Sequence, residues 1–235
     1  MTVTFVFFDL YGTLAQFDPP REVIQQNAAS QFGLQVTREG IDTGYHLADQ
    51  LLSAQNARKP VRSMSQPQRN AFFARFEQLI LHGAGHEVDL ELAGKIWERV
   101  TAQEYGLALF DDVIEVLDAL KAKDVRSAVI TNFPQPGHAV EKSMGLAGHV
   151  EFTVTSGEVG HEKPHAPIFE EALRRAGVPV RETVLVGDQV DSDLAGASAV
   201  GIRPILMDRY NNYPGYSDHP RVTSMGELPA LLASM

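Results

Sequence analysis

Cysteine is absent from this chain, which excludes disulfide frameworks and thiolate metal sites. No apolar run approaches the roughly 18 to 20 residues that a membrane span requires. The opening stretch MTVTFVFFD lacks the basic leader and small-residue cleavage site of a secretory signal. Positive charge is in short supply, with 20 basic residues against 30 acidic ones and a net charge of -10. That balance opposes adventitious attraction to nucleic acid or anionic lipid. No run of like charge is long enough to form a tail, and neither an internal repeat nor a low-complexity segment is present. The expectation is a cytoplasmic protein without nucleic-acid or membrane partners, as a monomer or homodimer.

What the chain does have is apolar substance: 44% of 235 residues, enough for one large domain or for a core with a smaller insert. The stretch from Val3 to Leu14, VTFVFFDLYGTL, opens as a continuous apolar run and breaks at Asp9, with Gly12 and Thr13 close behind. A strand buried on both faces of a parallel sheet has this character. Asp9 then stands at the carboxyl end of a strand, where open α/β sheets bind ligands.

From residue 16 to residue 105 the spacing of apolar residues is helical. Ile24, Ala28 and Phe32 recur behind the start signal Pro19-Pro20, and Ile41, Tyr45, Ala48, Leu51 and Leu52 repeat the pattern. A polar breaker from Ser53 to Gln66 follows. Two more stripes run through Phe72, Phe73, Phe76, Leu79 and Ile80, and through Leu92, Ala93, Ile96, Trp97 and Val100. Four amphipathic helices with no convincing strand between them predict a small helical bundle.

Beyond Phe110 helices and strands alternate. Asp111 or Asp112 is placed to cap a helix carrying Val113, Val116, Leu117 and Leu120. Strands are expected at Ser127–Ile130, Phe152–Thr155, Thr183–Val186 and Ile202–Leu206, with helices at Pro136–Met144, Pro167–Ala176 and Asp193–Val200. This alternation predicts a parallel sheet with crossover helices, which takes in the first strand as well.

The expected strand ends and the loops beyond them present Asp9, Thr131 with Asn132, Lys163, and Gly187-Asp188 with Asp193. Parallel strands point their carboxyl ends to one edge, so these residues can converge. Their types suit phosphoryl transfer: a carboxylate to attack phosphorus, a second to hold a hard cation, and a hydroxyl and an ammonium to stabilise equatorial oxygens.

Asp-x-x-Gly-Thr-Leu after an apolar strand resembles the first motif of the haloacid dehalogenase superfamily of hydrolases, and the later residues match its other motifs in order. The resemblance implies a Rossmann-like α/β core over 1–15 and 106–235, with a helical-bundle cap inserted at 16–105. It implies Asp9 as nucleophile, and Mg²⁺ held by Asp9, the Tyr11 backbone carbonyl and Asp188, with Asp193 as a further ligand or its support. Thr131 and Asn132 would contact a small phosphorylated substrate, and Lys163 would neutralise nucleophile and substrate. The close approach of three carboxylates is the main reason to expect a divalent ion.

Tyr11 departs from the pattern. Phosphatases of the superfamily mostly place a second Asp there as general acid and base, and a phenol with a reference pKa of about 10 is a poor base near neutrality. Asp-x-Tyr-Gly-Thr also resembles the first motif of L-2-haloacid dehalogenases, whose halide leaving group needs no proton. That narrower likeness fails elsewhere, because those enzymes carry a Ser/Asn-rich fourth motif, a Tyr where this chain has Phe169, and an Arg early in the cap. A Mg²⁺-dependent phosphatase is therefore the leading expectation, with a carbon-halogen hydrolase or a catalytically weak binding protein as alternatives. Arg58, Lys59 and Arg62 offer positive charge in the cap, and Asp18 is a further acid-base candidate. The histidines 46, 82, 86, 161 and 165 show no zinc-ligand spacing.

Overall fold

The structure is a computed structural model that describes residues 2–235. The first strand, β1 (Phe5–Phe8), is buried along its whole length. The reason is its place in the sheet, where strands lie on both sides and helices cover both faces. Next come β2 (Ala15–Asp18), four helices α1 (Arg21–Ser30), α2 (Arg38–Arg58), α3 (Gln66–Gly83) and α4 (Leu90–Thr101), and β3 (Gly106–Leu109). The chain then runs through α5 (Val113–Lys121), β4 (Arg126–Thr131), α6 (Gly137–Met144), β5 (Thr153–Thr155), α7 (Ser156–Val159) and α8 (Ala166–Ala176). It closes with β6 (Thr183–Gly187), α9 (Ala195–Ala199), β7 (Arg203–Met207), β8 (Arg221–Val222) and α10 (Leu228–Ala233).

The chain divides into two compact units, one holding residues up to Gln16 together with Ala108–Met235, the other Phe17–Leu107. In the first, six strands form one sheet in the order β5-β4-β1-β6-β7-β8. All its pairs are parallel, and Phe8 lies opposite Val129 on one side and Val186 on the other. From β4 the chain winds outward to β5, and from β6 it winds the other way through β7. The carboxyl ends of β4, β1 and β6 thus flank the point where the winding reverses, the site of a binding crevice in open α/β sheets.

The core of this unit gathers Phe5, Phe7, Ile130, Val154, Ile168 and Phe169. Each fully buried side chain of this size contributes roughly 1.5–3 kcal/mol. Phe5 and Phe7 lie with ring centroids 4.9 Å apart. The ring of Phe169 packs so closely on Gly196 that a Cβ there would come within 2.5 Å of it.

The second unit is the four-helix array, cored by Ile24, Ile41, Phe76, Ile80, Leu81 and Ile96. A Cβ on Gly44 would lie 2.6 Å from the Ile80 Cα, so glycine lets α2 and α3 approach backbone to backbone. Among the described residues no helix is long and apolar enough to cross a membrane.

Several expectations are corrected here. The segment 53–58, read as a polar breaker, continues α2. It contains no Gly or Pro, and the helix stops only before Pro60. The stretch between β1 and α5 is not free of strands, because β2 and β3 form a two-stranded ribbon. Asp112 does not cap α5 with its side chain. The segment after β6 opens as a π-turn, Val190–Leu194, and only Ala195–Ala199 is α-helical.

Candidate active site

Asp9 follows β1 directly, and its backbone N–H donates to the Val186 carbonyl at 2.9 Å, which fixes the residue against the end of β6. Its carboxylate is buried. Lys163, also buried, donates from Nζ to Asp9 Oδ1 at 2.5 Å, to Asp193 Oδ1 at 2.6 Å and to the Ile130 carbonyl at 3.1 Å. One ammonium therefore uses its three protons on two carboxylates and a strand-end carbonyl. Asn132 holds this lysine by its backbone, with Oδ1 accepting from Lys163 N at 2.7 Å and Nδ2 donating to Lys163 O at 3.3 Å.

Asp193 is fully buried, and its Oδ2 accepts from Gln189 N at 3.1 Å. Both its oxygens are thus engaged by the protein, one by Lys163 and one by the Gln189 backbone. Asp188 follows β6 and accepts from Gln189 Nε2 at 3.1 Å. Thr131 ends β4 and is buried, while Tyr11 is half-buried in the loop after β1 and bridges Ala15. Gly12 has φ +84°, and a Cβ there would lie 2.6 Å from Asp188 Cγ. Only glycine suits both that backbone and that proximity.

One ligand oxygen from each of Asp9, Asp188 and Asp193 falls within 4.8 Å of the others, and among the described residues no histidine joins this cluster. Burial pushes the Asp9 carboxyl up to about 6, with the Lys163 ammonium pulling it down and Asp193 pushing it up. Burial also works against the Lys163 ammonium, but the Asp193 and Asp9 carboxylates outweigh it and hold its pKa above the usual lysine value. Asp9 and Asp193 thus share the Lys163 ammonium, and the Asp188 carboxylate lies within reach of both, a gathering of negative charge that a further cation would offset. Asp9 Oδ2 is buried and has no hydrogen-bond partner. An oxygen-only donor set with one orphaned carboxylate oxygen fits a hard divalent cation such as Mg²⁺.

A model of the haloacid dehalogenase-like hydrolases matches residues 3–201. The chain belongs to this family.

Among its relatives is ribulose-1,5-bisphosphate 5-phosphatase of Halopiger xanaduensis, 28% identical over 214 residues, covering 87% of this chain and 84% of that protein. Haloacid dehalogenase-like hydrolase domain-containing protein 3 of Danio rerio is 33% identical over 127 residues, and the match spans 53% of this chain and 52% of the relative. Among solved structures, the HAD-hydrolase YfnB from Bacillus subtilis bound to magnesium is 18% identical with a TM-score of 0.64, covering 99% of this chain and 100% of that one. The 2-haloacid dehalogenase of Pseudomonas syringae is 25% identical with a TM-score of 0.56, covering 99% of each chain.

In this haloacid dehalogenase-like hydrolase, residues 9, 163, 188 and 193 come together as one cluster, with Asn132 attached through the Lys163 backbone. Arg58, Lys59 and Arg62 are exposed in the helical unit, Asp18 is exposed at the end of β2, and His161 and His165 are exposed in the core unit. Sequence reasoning missed the Ile130 carbonyl and the Gln189 backbone as partners, and only the fold shows them, because any residue supplies such groups.

Proposed function

We propose that this hydrolase is a Mg²⁺-dependent phosphatase of a small phosphorylated metabolite, working through an aspartyl-phosphate on Asp9. The observation that carries this reading is the buried, unpartnered Asp9 Oδ2 inside a three-carboxylate cluster with a single ammonium. Asp9, the Tyr11 backbone carbonyl and Asp188 would hold the ion. When bound, it would supply positive charge to the phosphoryl oxygens and offset repulsion among the carboxylates.

The Asp9 carboxylate attacks phosphorus, an Asp9 O–P bond forms and the ester P–O bond breaks. Lys163 holds Asp9 ionised and aimed, with Asp193 and Asn132 fixing the lysine in turn. Thr131, at the adjacent strand end, is the hydroxyl donor for the phosphoryl oxygens. The leaving oxygen takes a proton, for which the Tyr11 phenol is the donor this loop offers. Water then attacks phosphorus, its proton passing to the Tyr11 phenolate left by the first step; the Asp9 O–P bond breaks, phosphate leaves and Asp9 and Tyr11 are restored. A phenol with a reference pKa of about 10 gives up its proton reluctantly near neutrality, so protonation of the leaving oxygen is the demanding step of this scheme.

A second reading, hydrolysis of a carbon-halogen bond, draws on Tyr11 and on the likeness to the Pseudomonas syringae dehalogenase. Against it stand Gly187-Asp188 at the end of β6 and the buried Phe169, whose ring has no hydroxyl to offer. The test measures phosphate release from an aryl phosphate and halide release from an L-2-haloacid, each with Mg²⁺ and with chelator. The expected result is phosphate release that stops with chelator and is lost in a folded Asp9→Asn variant. Chelator-resistant halide release overturns the proposal.

A further inference from the structure

We infer that Arg209 is a positioning residue that holds the Asp9–Thr13 loop in its working conformation, an inference that rests on the reading of Asp9 given above. Arg209 comes two residues after β7, at the same sheet edge as Asp9. Its Nε donates to the Thr13 carbonyl at 2.8 Å, although 196 residues separate the two in sequence. The other side of the guanidinium binds Asp112 in two places, Nη2 to Oδ1 at 2.9 Å and Nη1 to Oδ2 at 3.2 Å. The Arg209 Cζ lies 3.9 Å from the centroid of the Phe110 ring. Only 9% of the side chain is exposed.

The surroundings make this arginine stiff. Asp112 Oδ2 also accepts from Met225 N at 2.9 Å. Asp208, next to Arg209, is buried and accepts from Asn212 N at 2.7 Å, Tyr213 N at 2.9 Å and Arg221 Nε at 2.8 Å. The loop that presents the arginine is therefore tied down independently of Thr13.

Thr13 directly follows Gly12, whose positive φ brings the loop against Asp188, and Phe110 N donates to the Leu14 carbonyl at 3.0 Å. The guanidinium thus grips the chain just before β2 and again just after β3. A planar fork serves this geometry because it can bind a carbonyl and a carboxylate at once, which an ammonium cannot copy. Without it, the loop carrying the Asp9 carboxylate and the Tyr11 carbonyl loses its fixed end.

The test compares Arg209→Met and Arg209→Lys with Arg126→Met, which removes a half-exposed pair to Glu151 elsewhere in the same unit. Three readouts are taken: kcat and KM on an aryl phosphate, Mn²⁺ affinity by electron paramagnetic resonance, and hydrogen exchange of the segment 9–16. Arg209→Met is expected to lower kcat about 10- to 100-fold, the range found when groups orienting a ligand set are lost. KM should change far less, Mn²⁺ should bind more weakly, and exchange in 9–16 should quicken. Arg209→Lys is expected to recover only part of the loss, and Arg126→Met to show none of it. If both Arg209 variants match Arg126→Met in all three readouts, the inference is overturned. A wild-type protein that hydrolyses no phosphate ester removes the phosphatase reading alone, and the exchange and Mn²⁺ measurements still decide the role of Arg209.

Discussion

Replacing Glu77 by Gln tests how the helical unit tolerates a carboxylate in its core. Glu77 lies on α3 with no exposed surface, and its Oε2 accepts from Gln25 Nε2 at 3.1 Å. The same Gln25 nitrogen reaches the Tyr45 hydroxyl oxygen at 3.3 Å. Glu77 Oε1 and Gln25 Oε1 are both buried acceptors without a donor. One proton on Glu77 supplies the donor that this amide and carboxyl lack. The nearby charges are the Arg21 guanidinium, which pairs with Asp42 at 2.9 Å and lies 4.8 Å from the Tyr45 ring centroid, and the half-buried Asp49. Burial pushes the Glu77 carboxyl up from 4.5 to about 7, and the hydrogen bond from Gln25 offsets only part of this.

The folded protein thus holds this proton more tightly than the unfolded chain does. Its contribution to stability is fully present below pH 4.5 and is lost as pH rises to about 7. Each pH unit in that window is worth about 1.4 kcal/mol, so the total is about 3 kcal/mol. Glu77→Gln carries a permanent donor in place of the acid proton. It should match the wild type near pH 4.5 and exceed it by about 3 kcal/mol at pH 8, a shift of about 1 M or more in urea midpoint. Trp97, the only tryptophan, sits on α4 and stacks on Phe73 with centroids 4.8 Å apart. Its fluorescence reports on this unit during urea unfolding. Asp49 is also raised, to about 7, by burial against the pull of Arg21, and its slope is common to both proteins. A stability difference that stays constant between pH 5 and pH 8 would refute the argument, as would a variant less stable than wild type at pH 8.

Lys163→Met should destabilise the metal-free protein by about 3–5 kcal/mol at pH 7, because Asp9 and Asp193 are then buried without a counter-charge. The loss should shrink toward pH 5, where Asp9, already raised to about 6 by burial, takes up a proton. Thermal unfolding in chelator at the two pH values checks both statements. Tyr11→Asp should raise aryl phosphate turnover by the order of 10²-fold, since a missing acid-base group costs about 10² to 10⁴. A folded variant with no gain counts against phosphoryl transfer as the native chemistry.

The features that could be read from the sequence are those in which side-chain type carries the information. Strand β1 is legible because it is buried on both faces, so its residues must all be apolar, and the break at Asp9 marks its end. The alternation after residue 110 reports a parallel sheet for the same reason, and the cluster of Asp9, Lys163, Asp188 and Asp193 assembles because parallel strands end at one edge. Strands β2 and β3 are not legible. Ala15–Asp18 and Gly106–Leu109 hold no β-branched residue, and they form a two-stranded sheet with each other rather than joining the six-stranded one. Asp112 illustrates a second limit, since an acidic residue before an apolar stripe signals a cap whether or not its carboxylate is engaged elsewhere. Here an arginine at position 209 claims it. Asn132 illustrates a third. Beside Thr131 it suggests substrate contact, yet its amide oxygen and nitrogen both go to the Lys163 backbone. Substituting its side chain should therefore act through the aim of the lysine.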